Sequence, residues 1–490
     1  MQIKRTMALI LAALLASSAV ACGSSDANGA ENTTENDVTS ANSDESVNET
    51  ETSPYDALED RDFEGRTFTI LDANPNPQGL QINIPEDEMN GEVVNDALII
   101  RDNAIEDRYN ISIEYVSDTN ADKVKSSVLA GDNEYDLVYS NIYQFAPLAT
   151  ESILADLCSF KDIDLSDKWW SPLMAEKLTL NNRLYFTASD IAPSIYQAPL
   201  CMFLNLKLWE DYNFDIDVYE TVLDGKWTYD VLTDLTKDLD QDLNGDGKML
   251  PKDDFFGVGM QTTDEISIAF MESAGLVMTE LTPDKTNITL ASLSGTDIVD
   301  RFEKIIKVAR NIKHEDINDI INYAFKEDRA LFLQHKLESA GVHLRDMKSD
   351  YLILPMPKYS ENEDYISGVS GYVSSFAAVP ATVDSDFTGF ILEALARYSN
   401  ENLRPLSYDL VYKQKTSRDE RSNEILDLIF DTLYIDFLAI YDFGGLKTAV
   451  TNIIFHDKPI SSTIEACSAS AEKAIEKFVE NWRYNILCVK

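Results

Sequence analysis

Cysteine, histidine and positive charge are all scarce in this chain. Five cysteines fall in 490 residues with no Cys-x-x-Cys pair, which excludes a disulfide-framed small domain and a clustered zinc site. The four histidines, His314, His335, His343 and His456, form no His-Glu-x-x-His pair and are expected to be ordinary surface or core residues. Gly-x-Ser-x-Gly and Gly-x-x-x-x-Gly-Lys are both missing, so neither a hydrolase elbow nor a phosphate loop supports catalysis. Lys and Arg number 41 against 85 Asp and Glu, a formal net charge of −44. Such a surface repels phosphate backbones and anionic headgroups, and nucleic acid is excluded as a partner.

What is present suits a large folded body. Apolar residues make up 44% of the chain, and at roughly 100 to 200 residues per domain the length implies two to four domains or lobes. Lys4 and Arg5 precede an apolar run from Met7 to Ala16 and small residues up to Cys22, the layout of an export signal over 1–22. The run is shorter than the about 20 residues of a membrane span. Ala19-Val20-Ala21-Cys22 resembles a bacterial lipobox, with Ala19 where Leu is preferred, which implies lipidation at Cys22. A plain secretory signal cut after Ala21 is the alternative. Gly23 to Pro54 holds eight acidic residues and neither Lys, Arg nor an aromatic, too polar to bury a core. We expect a disordered acidic tether over 23–60.

Beyond the tether, short apolar runs alternate with helical periodicity. Thr67 to Leu71, Ile111 to Val116 and Tyr135 to Tyr139 read as strands. Between them, Glu92 to Tyr109 reads as a helix facing inward through Val93, Ala97, Ile100, Ala104 and Ile105, and Ala121 to Ala130 as one facing inward through Val124, Val128 and Leu129. That order predicts an α/β domain on a mostly parallel sheet, whose ligands sit beyond the carboxyl ends of the strands. Further strand-like runs at Leu200 to Leu206, Tyr351 to Leu354 and Ser374 to Val379 flank helical stretches, so the chain is expected to cross between two lobes more than once.

Two groups of residues stand out as candidate sites. Asp242, Asn244, Asp246, Lys248 and Asp253 occupy positions one, three, five, seven and twelve of an EF-hand-type loop with Gly247 at six, a pattern of oxygen donors suited to structural calcium. Asp253 stands where Glu is usual, and a solvated acidic turn is the other reading. Tyr139, Asn141, Tyr143, Trp169, Trp170, Asp190, Tyr196 and Tyr372 lie near predicted strand ends or crossovers. Their aromatic faces suit sugar rings and their Asp and Asn suit hydroxyls, although any single ring could equally be core.

Several pieces, in order, resemble the extracellular solute-binding proteins of family 1, the carbohydrate-binding lipoproteins of ABC importers. They are Gly91-Glu92-Val93-Val94-Asn95-Asp96 with Glu106-Asp107-Arg108-Tyr109, Glu134-Tyr135-Asp136-Leu137-Val138, Asn182-Arg183-Leu184-Tyr185-Phe186 and Phe203-Leu204-Asn205. Lys226-Trp227-Thr228-Tyr229, the Asp242 loop, Ile353-Leu354-Pro355-Met356-Pro357-Lys358 and Val379-Pro380 continue the series. The resemblance implies a two-lobe periplasmic-binding-protein type II fold with a hinge and central cleft. Lobe one is expected over 61–199 and 341–405, and lobe two over 200–340 and 406–490. It further implies a monomer without enzymatic activity, anchored by lipid to the extracytoplasmic face of a bacterial cell membrane. Such a protein captures a carbohydrate, expected to be a neutral oligosaccharide, and delivers it to ABC permease subunits. A surface adhesion or structural lipoprotein, or a glycan hydrolase, are the alternatives.

Overall fold

The computed structural model describes residues 53–73, 89, 91–291, 296–309, 317–407 and 420–484. The expected signal, Cys22 and the tether up to residue 52 lie outside them. The last part of the expected tether is not free. Tyr55 is buried, its N–H donates to Glu401 Oε1 (2.9 Å), its ring meets Tyr398 edge-on at 5.0 Å, and Arg108 donates to its carbonyl. Arg108 also donates to Leu58 O and Arg397 to Pro54 O (3.1 Å), so residues 53–60 are docked and the body begins before residue 61.

Two sheets organise the chain. The first has the order β2-β1-β3-β12-β4, built from β1 (Arg66–Asp72), β2 (Ile111–Ser117), β3 (Leu137–Ser140), β4 (Phe186–Thr187) and β12 (Phe376–Ala378). β1 runs parallel to β2 and β3, with Ile70 opposite both Tyr115 and Leu137, while β12 is antiparallel to β3 and β4. The parallel pairs need crossovers, which α1 (Val93–Tyr109) and α2 (Asp122–Ala130) supply. Gly131 ends α2 at φ +74°, a left-handed cap.

The second sheet has the order β10-β5-β9-β6, from β5 (Leu200–Asn205), β6 (Phe256–Gly259), β9 (Ala330–Lys336) and β10 (Tyr351–Pro355). β5 is buried along its whole length, as its unbroken apolar sequence requires. β10 pairs with β5 here, so 341–405 does not stay in one lobe as expected: its first strand, β10, belongs to the second sheet and its last strand, β12, to the first.

The chain passes between the sheets over 188–199, again over 356–375, and after α5 (Ser385–Asn402), which packs on α1. The first two passages lie side by side, with Pro199 bridged to Val369 and the Ser370 N–H donating to Ala198 O at 2.9 Å. α6 (Glu420–Asp431) returns to β10, the short β11 (Ser367–Gly368) inside the second passage pairs in parallel with β13 (Leu433–Tyr434), and β7 (Thr279–Leu281) and β8 (Ile288–Leu290) form a separate antiparallel pair. α7 (Leu446–Phe455) packs on α4 (Asp264–Ser273), the helix that follows β6. Among the described residues no helix is long and apolar enough to cross a membrane.

Two helix faces differ from expectation. On α1, Val93 and Ile100 are exposed, and the buried side is Val94, Ala97, Leu98, Arg101 and Ile105. Arg101 is wholly buried. Its guanidinium donates to Asp102 (2.8 Å), to Ile191 O in the first passage (2.8 Å) and to Tyr115 Oη (3.1 Å), so a charged residue holds the inner face. On α2, Val124 and Val128 are buried but Leu129 is 70% exposed.

Candidate functional site

α3 (Ile142–Leu148) begins where β3 ends, and Asn141 caps it by accepting the Gln144 N–H at 3.2 Å. This cap sets Tyr143 on the first turn. The Ile142 N–H donates to Gly371 O (3.2 Å), which fastens the second passage against the helix. A Cβ on Gly371 would stand 2.7 Å from Ile142 Cγ2 and 3.1 Å from the Tyr143 ring, so glycine permits this approach. Tyr372 follows, 55% exposed, with its ring 4.4 Å from that of Tyr143 at a 41° tilt.

Tyr143 belongs to the first lobe and faces groups from the second. Asp264, Glu265 and Glu272 of α4 are within electrostatic reach, and Lys447 Nζ of α7 lies 5.0 Å from the ring centre. Burial, reinforced by Glu265 and by Tyr372, raises the Tyr143 hydroxyl above its ordinary range, so it stays a neutral hydrogen-bonding group. Glu265 accepts from Ser370 Oγ (2.7 Å) and pairs at 3.8 Å with Lys336, the last residue of β9, which lies 4.0 Å from Glu338. The chemistry thus gathers at the carboxyl ends of β3, β6 and β9, where open α/β sheets hold ligands. Burial raises the carboxyls of Glu272 and Glu338, the former further because Asp436 stands near and despite Lys447.

The other expected contacts are placed differently. Tyr139 is wholly buried inside the first sheet beside Ser189. Trp169 and Trp170 are buried, with indole N–H groups donating to the two oxygens of Glu393 on α5, at 3.1 and 2.8 Å. Arg397 donates to the same carboxylate at 2.7 Å. These indoles pin α5 to the first lobe and show almost no surface to a ligand. Asp190 is buried in the first passage and accepts from Tyr196 Oη and from Asn400 Nδ2 (2.6 Å). Asp190 and Tyr196 border a small cavity of 130 Å³ with Arg404 and Phe430, away from Tyr143. Of the eight, the structure brings Asn141, Tyr143 and Tyr372 together.

The acids of the second lobe were not singled out from sequence. The signal that finds them is the strand-end rule already applied to β3: Phe256 to Gly259 is a strand, and Thr263-Asp264-Glu265 opens the helix just beyond it. Larger cavities lie elsewhere, one of 720 Å³ flanked by Lys358, Glu361, Asp364, Glu424 and Asp427, another of 470 Å³ beside Trp209 and Arg421.

The loop at Asp242 folds on its own hydrogen bonds. Asp242 accepts from the N–H groups of Gly245 (2.7 Å) and Gly247 (2.8 Å), Asn244 from Asp246 (2.9 Å), and Asp246 from Lys248 (2.8 Å). The buried acid is Asp254, which accepts from Leu243 and Leu250, whereas Asp253 is exposed. Among the described residues no group of three His, Cys, Asp or Glu converges as a metal site. Cys158, Cys201 and Cys467 are free thiols, and Cys488 lies outside the described residues.

No family model matches the chain, and no curated protein does. Solved structures do. A cyclo/maltodextrin-binding protein complexed with maltotetraose aligns with TM-score 0.53 and 14% identity over 87% of this chain and 98% of its own. An ABC substrate-binding protein from Listeria monocytogenes in complex with cycloalternan aligns at 0.52 and 12% over 84% and 99%. A cyclic alpha-maltosyl-1,6-maltose binding protein from Arthrobacter globiformis aligns at 0.54 and 11% over 85% and 100%. The described body has the two-lobe, hinged α/β fold of these substrate-binding proteins.

Proposed function

We propose that this protein is the extracytoplasmic substrate-binding component of an ABC importer, and that it captures a carbohydrate between its lobes. The observation that carries the reading is the Tyr143–Tyr372 pair, an aromatic surface at the lobe seam faced by carboxylates from the opposite lobe. Rings of this kind stack on the apolar faces of sugars, and the surrounding acids accept hydroxyl hydrogen bonds. Similarity of fold to oligosaccharide-binding proteins supports the same class. Anchoring through Cys22 and delivery to a permease belong to this proposal, as does a binding role without turnover. Closure about the paired passages at 198–199 and 369–370 would bury the ligand and form a joint surface for the permease.

The test is the thermal unfolding midpoint against a panel of neutral and amino mono- and oligosaccharides. A ligand selective for the folded state stabilises it by RT ln(1 + [L]/Kd), about 2.7 kcal/mol at a hundredfold excess over Kd. We expect one saccharide class to raise the midpoint by about 2 to 5 °C, with the saccharide recovered intact. Silence across the panel would contradict carbohydrate capture, and recovery of cleaved sugar would favour the hydrolase.

A further inference from the structure

On α4 and along β9 and the turn after it, several buried side chains hold polar atoms without a partner in the protein. They are Oε1 of Glu272, Oε2 of Glu338, and both amide atoms of Gln334. Glu272 and Glu338 are more than nine-tenths buried and Gln334 wholly so. A buried polar atom left unpaired costs about 1 to 3 kcal/mol, a cost that a bound ligand's polar group would relieve. Gln334 and Lys336 alternate with His335 along β9 and share a face, and Lys336 leads to Glu265 and Glu338. Glu272 lies two turns from Glu265 on the same face of α4, its carboxyl against Gly368, and it is within electrostatic reach of Tyr143, Tyr434 and Asp436.

The charges there do not balance. Asp264, Glu265, Glu272, Glu338 and Asp436 face Lys336 and Lys447, with Lys177 near Asp436. Lys447 donates to Ala439 O at 3.0 Å, and Asp264 and Asp436 have partners in Thr451 and in the Ala439 N–H. The helix 296–309, also packed on α4, brings Arg301, which is engaged by Ala274 O and Glu363 at the far end. Glu272 is left as a buried carboxyl with an open oxygen and no direct cation.

Resting on the carbohydrate reading above, we propose that the ligand is cationic: a saccharide bearing a basic amine, whose ammonium group is received by Glu272 beside Tyr143. An ammonium supplies the donor that Oε1 lacks and the positive charge that pairs with Glu272 as it ionises. Burial keeps the Glu272 carboxyl protonated to a pH above the ordinary carboxylate range, and an arriving cation favours its ionised form. Binding should therefore release a proton, and affinity should fall as pH is lowered below the free-state pKa of Glu272.

Calorimetric titration tests this with matched pairs, maltotetraose against its amino-deoxy derivative and cellotetraose against the chitosan tetramer, in buffers of differing ionisation enthalpy. We expect the amine-bearing member of one pair to bind at least tenfold more tightly with proton release, and E272Q to abolish both the preference and the proton release. Equal or tighter binding of the neutral member overturns the cationic ligand and leaves carbohydrate capture standing. If no saccharide binds, the carbohydrate reading fails. Spermidine then decides the rest: binding weakened by E272Q supports the ammonium site, and no binding overturns it. Should E272Q fail to fold, the matched pairs on the unmodified protein decide alone.

Discussion

Replacing Tyr143 by alanine is expected to weaken saccharide binding about thirtyfold, near 2 kcal/mol, the range of a central aromatic anchor. The ring is half-buried, is held from below by the Asn141 cap and Gly371, and presents a surface continued by Tyr372. Its loss removes the stacking plane from one lobe without opening either sheet, so the unfolding midpoint should move little. Tyr143→Phe keeps the plane and removes the hydroxyl that faces Glu265 and Glu272, and it should retain most of the affinity. Calorimetry on the two variants checks this. Unchanged affinity in Tyr143→Ala would move the site away from the lobe seam.

A second large effect is expected at Glu393, and it is on stability. This carboxylate accepts both indole N–H groups and Arg397 while itself almost wholly buried. Glu393→Ala leaves three donors without their acceptor, and breaking a buried charged network of this kind costs about 3 to 5 kcal/mol. Glu393→Gln, which still accepts but carries no charge, should cost less. Urea unfolding measures both. At temperatures where the alanine variant remains folded, its saccharide affinity should match that of the unmodified protein. The opposite pattern, intact stability with lost affinity, would return Trp169 and Trp170 to the binding surface.

The two tryptophans also show what the sequence could not convey. Adjacent indoles near a crossover suit a sugar platform, but their environment is decided by a glutamate more than 220 residues away. Periodicity located β1, β2, β3, β5, β10 and β12 to within about two residues, because burial on one or both faces writes itself into apolar spacing, whereas β6 and β9 fell inside stretches read as helical. It misplaced the inner face of α1 because that face centres on Arg101, a residue that no hydrophobic count assigns to a core. Asn141 and Tyr143 follow β3 at its carboxyl end, where the strand-end rule points, but the same rule points to Tyr139, which is core, and Tyr372 precedes a strand rather than following one. Glu265, Glu272 and Glu338 were hidden among 85 acids, and only the tertiary meeting of β6, β9 and α3 separates them from solvated charge. The EF-like spacing at Asp242 carries two readings at once, since the alternation of Asp, Asn and Gly that suits a cation loop also satisfies the run of Asx turns seen there.

Capture between lobes is tested most directly by backbone hydrogen exchange of the protein with and without the saccharide that raises its unfolding midpoint. Protection is predicted at 141–145 and 370–373 on one side of the seam and at 263–272 and 336–339 on the other, together and with the same ligand dependence. Protection confined to one of these sides, or found instead along the 720 Å³ groove at 358–365 and 424–431, would contradict it.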